Sequence, residues 1–183
     1  MEWLLFTAQL PASPSSLRVM VWRRMKAAGA LSLQNGVWLL PRGKEQERLA
    51  RELLARLQQQ GASGQLFGVT ALSPDGEKDL LRRFRGLRDE EYSELIERCE
   101  ALVAELAKET RKRKFTFAEL EENEDGVEKL EAWLGRISAR DAVGGERAPE
   151  AARAMESARK MVEAFAERVY ERERVRAKGA SRK

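Results

Sequence analysis

The chain has 183 residues, 43% of them hydrophobic, with 34 Lys/Arg against 30 Asp/Glu and a formal net charge of +4. That length can bury one good core, or a small α/β core plus a helical layer. A single cysteine, Cys99, and the absence of histidine exclude an intramolecular disulfide, multi-cysteine zinc sites and histidine-based triads.

The N-terminus places an acid at Glu2 and carries an apolar run far too short for a secretory leader or a bilayer span, so a cytoplasmic protein with no membrane partner is expected. Residues 3–9 suit a buried central strand ended by Pro11 and Pro14. Ser15 or Ser16 would then cap a helix running to about Ala28 and stopping at Gly29. Residues 31–34 and 37–40 flank Asn35-Gly36, a dipeptide suited to a type I′ hairpin turn. After Pro41-Arg42-Gly43, residues 44–60 repeat Leu49, Leu53, Leu54 and Leu57 at helical spacing, with Gly61 and Gly64 closing that helix. Residues 65–72 read as a fourth strand bounded by Ser73-Pro74-Asp75-Gly76.

The order strand, helix, strand, strand, helix, strand matches the ferredoxin-like arrangement. It predicts an α+β fold: a ferredoxin-like βαββαβ module over residues 1–76, then a three-helix all-α region over 77–171. Within that region a short helical piece at 77–84 precedes a helix with the stripe Tyr92, Leu95, Ile96, Cys99, Leu102, Val103 and Leu106, begun by the acids Asp89, Glu90 and Glu91. The next helix follows the basic run Arg111-Lys112-Arg113-Lys114, with Thr116 and Glu119 as a capping box and Leu120, Val127, Leu130, Trp133, Leu134 and Ile137 inward. The third starts after Gly144-Gly145 and turns Ala151, Met155, Ala158, Val162, Phe165 and Val169 inward. A basic tail, 172–183, lacks apolar anchors and is expected to be disordered.

Charge is laid unevenly along the chain. Residues 1–90 hold 14 Lys/Arg and 9 Asp/Glu, residues 91–170 hold 14 and 19, and residues 171–183 hold 6 and 2. A basic head and tail thus bracket an acidic middle, an arrangement that permits a polyanion or an acidic partner. On the first helix, Leu17, Met20, Val21, Met25 and Ala28 share one arc with Arg24 in its middle, while Arg18, Trp22 and Lys26 form a separate stripe. Two readings stay open: Trp22 covers its cationic neighbours on a solvated face while Arg24 snorkels from the core edge, or the same guanidinium groups bind phosphate or an oxyanion. Glu121 and Asp125 lie one turn apart in an acidic run better read as a solvated face than as a metal site. Cys99 reads as a small inert core residue.

Five separated pieces carry a resemblance: Trp3-Leu4-Leu5 with Gln9-Leu10-Pro11; LRVMVWRRMKAAGALSLQNGVWLLP from Leu17 to Pro41; RDEEY from Arg88 to Tyr92; KFTFAELEENE from Lys114 to Glu124; and AFAERVY from Ala164 to Tyr170. Together they make the sequence resemble, up to Tyr170, the N-terminal domain family of ChrB, regulators of bacterial chromate resistance. The resemblance implies transcriptional control of a chromate-efflux operon with chromate as effector. It also implies distant kinship to the central domain of PaaX-type repressors and to the small ferredoxin-like subunit of the CRISPR adaptation complex. Nuclease-like relatives carry a metal-binding acid at the end of the first strand, where this sequence has Thr7-Ala8-Gln9.

Two function classes follow. One is a DNA-binding or regulatory homodimer that responds to chromate, its self-association following from the unpaired edges of a small sheet. The other is a nuclease-like enzyme using acids of the helical half. The lack of histidine, of a glycine-rich phosphate loop and of a strand-end acid favours the first, so no catalytic residue, metal or cofactor is expected. Arg18, Arg23, Arg24, Lys26 and Arg42 are the expected DNA or oxyanion ligands.

Overall fold

Trp3, Leu4 and Phe6 are all buried, as befits a strand covered on both faces, and β1 (Trp3–Gln9) indeed lies inside a sheet. The computed structural model describes residues 1–10 and 15–180; Pro11 and Pro14, expected to end the first strand, and tail residues 181–183 lie outside the described residues. β1 pairs antiparallel with β3 (Val37–Pro41) on one side and β4 (Ser63–Val69) on the other, and β2 (Leu31–Gln34) pairs antiparallel with β3. The sheet order is β2-β3-β1-β4. With helices α1 (Ser16–Ala27), α2 (Lys44–Gln59), α3 (Pro74–Arg111), α4 (Phe117–Arg140) and α5 (Ala148–Ala180), the described residues form a mixed α/β protein.

The chain divides into two compact units, Met1–Arg85 with Arg140–Val143, and Gly86–Ala139 with the chain from Gly144 on. In the first, alternate residues of the strands face α1 and α2: Leu4, Phe6, Trp38 and Leu40 pack with Leu17, Val21 and Met25 of α1 and Ala50, Leu53 and Leu57 of α2. Trp3 points the other way and stacks on Phe84, with ring centroids 4.9 Å apart. In the second unit, the three expected stripes meet in one core: Tyr92, Leu95, Ile96, Cys99 and Leu106 of α3, Leu120, Val127 and Ile137 of α4, and Ala151, Met155, Ala158, Val162, Phe165 and Val169 of α5.

Several local expectations are corrected. Ser15 occupies the N-cap position of α1, but its hydroxyl makes no capping bond. Among the described residues the hairpin tip has a positive φ only at Gly36, 74°, so it is not a type I′ turn; β1 holds the tip in place, the Ala8 N–H donating to the Gly36 carbonyl at 2.8 Å. β4 runs Ser63–Val69 where 65–72 is expected; Gly64 belongs to it and is packed close to both β1 and α2, since an added Cβ there would stand 2.6 Å from the Thr7 carbonyl oxygen and 2.8 Å from the Leu54 side chain. Ser73-Pro74-Asp75-Gly76 is a helix start and not a turn, the Ser73 hydroxyl accepting from the Gly76 N–H at 3.1 Å with Pro74 in the first helical position.

α3 is therefore one 38-residue helix where two helical pieces were expected. Gly86 meets nothing that a side chain would disturb, and a lone glycine weakens a helix by only about 1 kcal/mol. The tail is likewise helical through Ala180, since no glycine or proline interrupts residues 171–178 and Arg176 pairs with Glu173 one turn back at 3.0 Å.

α1 and α2 both stop in the double hydrogen-bond pattern that needs a left-handed residue after the helix; Gly29 and Gly61 supply it. α3 stops in the same pattern, with the Lys114 N–H bonded to the Glu109 carbonyl and the Arg113 N–H to the Thr110 carbonyl. Here the left-handed residue is Arg113, φ 55°. A side chain in that conformation costs about 1–2 kcal/mol, partly offset by the extra freedom glycine would lose on folding. Arg113→Gly should raise unfolding stability by about 0.5–1 kcal/mol in urea titrations; a lower midpoint would show that the Arg113 side chain itself stabilises the turn.

Candidate functional site

α1 is held to the sheet by Leu17, Val21 and Met25, spaced one turn apart and all buried. Burial of that stripe determines what faces outward: Arg18, Val19, Trp22, Arg23, Arg24 and Lys26 are all exposed, Val19 by 42% and Trp22 by 51%. The helix contains no acid. Arg24, expected in the middle of the apolar arc, is exposed because the arc centres on Val21, which puts Arg24 at its margin. The side chains of Arg23, Arg24 and Lys26 have no hydrogen bond or ion pair among the described residues, and no cation stacks on the Trp22 ring among them.

The cations lie on two flanks of the helix. On one, Arg18 and Trp22 line an open cleft of about 360 Å³ with Leu10, Asn35, Gly36 and Trp38, so the hairpin tip forms its far wall. On the other, Arg23 and Arg24 border a shallower surface with Met20 and Ala27. Val19 lines both and forms the ridge between them. A groove of apolar floor and guanidinium rim suits a ligand that is anionic and extended, because each fork can donate two parallel hydrogen bonds to a phosphate.

Arg42 does not join this surface. Its guanidinium bonds to Glu47 at 2.7 Å and Glu2 at 3.0 Å, and the Glu47 hydrogen bond first, then the nearby carboxylate charges, raise its pKa. The two carboxylates offset the charge that would attract an anion; Arg42 ties the start of the chain to the start of α2.

The helical unit contains polar groups that apolar periodicity does not reveal. Asn123 is buried and donates to the Glu119 carbonyl at 2.6 Å and to Glu109 at 3.3 Å. Burial and then the neighbouring Glu119 carboxylate push the buried Glu109 carboxyl up, while the hydrogen bonds from Glu109 and Lys114 hold Glu119 down. The visible signal is spacing: Asn123 falls between Leu120 and Val127 on the inward stripe. Of the expected capping box, the half in which the Glu119 N–H reaches the Thr116 hydroxyl is present at 3.3 Å, and the Glu119 side chain instead meets Lys114 at 2.9 Å.

RDEEY turns out to be an anchor for the loop before α5. Asp89 accepts the Arg147 N–H at 2.9 Å, and Arg147 donates to the Ser93 hydroxyl at 2.6 Å. Gly145 lies so close to Asp89 and Tyr92 that an added Cβ would stand 2.9 Å from each. Asp125, half of the acidic pair weighed as metal ligands, is ion-paired to Lys129 at 3.0 Å. Cys99 is fully buried in the core, and burial raises its thiol pKa. No helix among the described residues is long and apolar enough to cross a membrane.

Residues 18–176 match the family model described as Protein ChrB, N-terminal. A stretch of 39 residues is 49% identical to Protein ChrB of Cupriavidus metallidurans (strain ATCC 43123 / DSM 2839 / NBRC 102507 / CH34); it covers 21% of this chain and 12% of that relative.

The Glu109 carboxyl gives a test of the polar cluster. A native pKa raised above the unfolded value means that the folded state holds the proton more tightly, so this group's contribution to stability is lost as pH rises through the native pKa. Glu109→Gln removes the titration and keeps an acceptor for Asn123. Its urea midpoint relative to the parent should climb as pH rises above the ordinary carboxylate range; a relative fall with rising pH would contradict the assignment.

Proposed function

Because the chain belongs to the ChrB N-terminal family, we propose that it serves bacterial chromate resistance as a DNA-binding regulator. In this reading it acts in the cytoplasm as a homodimer, binds nucleic acid without performing catalysis, and answers to chromate. The exposed acid-free face of α1 is the observation that carries the reading. Four cations, Arg18, Arg23, Arg24 and Lys26, lie within little more than two helical turns, and three of them have no protein partner among the described residues. Exposed unpaired cations are available for the phosphate contacts that dominate affinity for DNA. Val19 and Trp22 between them add apolar surface suited to sugar or base edges.

The sheet unit is also read as ferredoxin-like. Its elements run β1-α1-β2-β3-α2-β4, and from the far edge the sheet order is β4-β1-β3-β2, which supports that reading. β2 and β4 are the edge strands, and their unpaired backbone groups support association of two copies.

The test is duplex-DNA affinity measured against salt. Arg23→Ala, Arg24→Ala and Lys26→Ala should each reduce the slope of log affinity against log salt by about 0.9, and all three together by about 2.7. Thermal stability should stay at the parent value, since none of the three touches the core. Unchanged slopes in all three variants would remove α1 from the DNA surface. Arg42→Ala serves as the control: it breaks an ion pair and should leave the slope unaltered.

A further inference from the structure

Two of the runs that carry the family resemblance take no part in the α1 face, yet in the helical unit they converge. Phe115 and Phe165 meet with ring centroids 5.5 Å apart. Above Phe115 lies the Arg168 guanidinium, 5.9 Å from the ring centre, and Arg172 donates to the Arg113 carbonyl at 2.7 Å. The result is an open cleft of about 600 Å³ whose wall carries three guanidinium-bearing residues, Arg113, Arg168 and Arg172, with Thr110 and one carboxylate, Glu171.

Three features single this cleft out. Residues 91–170 carry more acids than bases, 19 against 14, yet the wall is net positive and continues into exposed Arg111 and Lys112, neither of which has a partner among the described residues. Two of the three arginines are held in place, Arg168 by its stack on Phe115 and Arg172 by its bond to the turn, so little side-chain freedom remains to be lost on binding. The third, Arg113, occupies a left-handed position that the two other helix ends of this pattern give to glycine. Retained backbone strain of this kind points to function.

We propose that this cleft is a second phosphate-binding surface, which takes the sugar-phosphate backbone of nucleic acid. The inference deepens the DNA-binding reading and rests on it, while using residues independent of α1. Guanidinium forks at several heights along a groove suit a chain of phosphates better than a single small anion, and the exposed cations at Arg111 and Lys112 extend the track beyond the cleft.

Arg113→Gly is the decisive variant, because it removes the cation while relieving the backbone, so that loss of binding cannot be ascribed to misfolding. Anisotropy of a fluorescein-labelled duplex of about 30 base pairs is followed across salt for the full chain, for Arg113→Gly and Arg172→Ala, and for Arg23→Ala on α1. Each of the first two should lower the salt slope by about 0.9, and Arg113→Gly should do so with its urea midpoint equal to or above the parent's. If both leave slope and affinity unchanged while Arg23→Ala lowers them, this surface is refuted and the α1 reading stands. If they lower the slope and Arg23→Ala does not, this surface stands and the α1 reading falls. A parent chain that does not bind the duplex refutes both. Inorganic phosphate is the second probe: saturable stabilisation by phosphate that Arg113→Gly abolishes, with duplex affinity unaltered, would mark a small-anion site and overturn the nucleic-acid assignment.

Discussion

Leu17, Val21 and Met25 bury one stripe of α1 against the sheet, and the presentation of this protein's cations follows from that contact. Spaced one turn apart, the three side chains permit a single rotational setting of the helix, the one in which Trp22, Arg23, Arg24 and Lys26 face out. A rotation of the helix by one residue position would bury a guanidinium, whose desolvation costs more than the apolar stripe returns. The same residues that stabilise the sheet unit therefore set which way the charges on both flanks of the helix face. The close approach of β4 at Gly64 and the hairpin tip held by Ala8 complete the frame on which those charges stand.

The helical unit solves a different problem. Its three stripes supply an apolar core, and hydrogen bonds join polar groups of neighbouring helices: Asn123 spans Glu109 and the Glu119 carbonyl, while Asp89 receives the backbone of Arg147. Such networks fix register between helices because each partner left alone would be a buried polar group without a hydrogen bond. At the α3–α4 turn the same economy is broken. Arg113 takes a strained place where glycine would be easier, and its carbonyl is held by Arg172. This is where local stability and placement of charge pull in opposite directions, and charge placement prevails.

The inward stripes of α3, α4 and α5 were legible because a buried helix face repeats apolar residues at helical spacing whatever its neighbours are; Tyr92 to Leu106 and Ala151 to Val169 show this. Boundaries were less legible. Ser73-Pro74-Asp75-Gly76 has the letters of a turn and of a helix cap, and only the Gly76 N–H reaching the Ser73 hydroxyl decides between them. Asp89 to Glu91 suit a helix start, yet Asp89 serves the middle of α3 by meeting a backbone N–H 58 residues away. At the candidate site, the exposure of Arg23 and Lys26 follows from composition and spacing. The pairing of Arg42 does not, because Glu2, 40 residues away in sequence, reaches it only after folding. Arg24 lies at the margin of an arc centred on Val21, a difference of a fraction of a turn that spacing does not resolve, and buried Asn123 is one polar residue in a stretch of many.

The central claim is that burial of Leu17, Val21 and Met25 turns the cations of α1 into a DNA-facing surface. Backbone-amide NMR during titration of duplex DNA into isotopically labelled protein tests it most directly. The account predicts shifts at Trp22, Arg23, Arg24 and Lys26 that grow at low salt and reverse at high salt, with Leu17, Val21 and Met25 little changed. Shifts that leave these exposed α1 positions untouched while DNA is bound would contradict it.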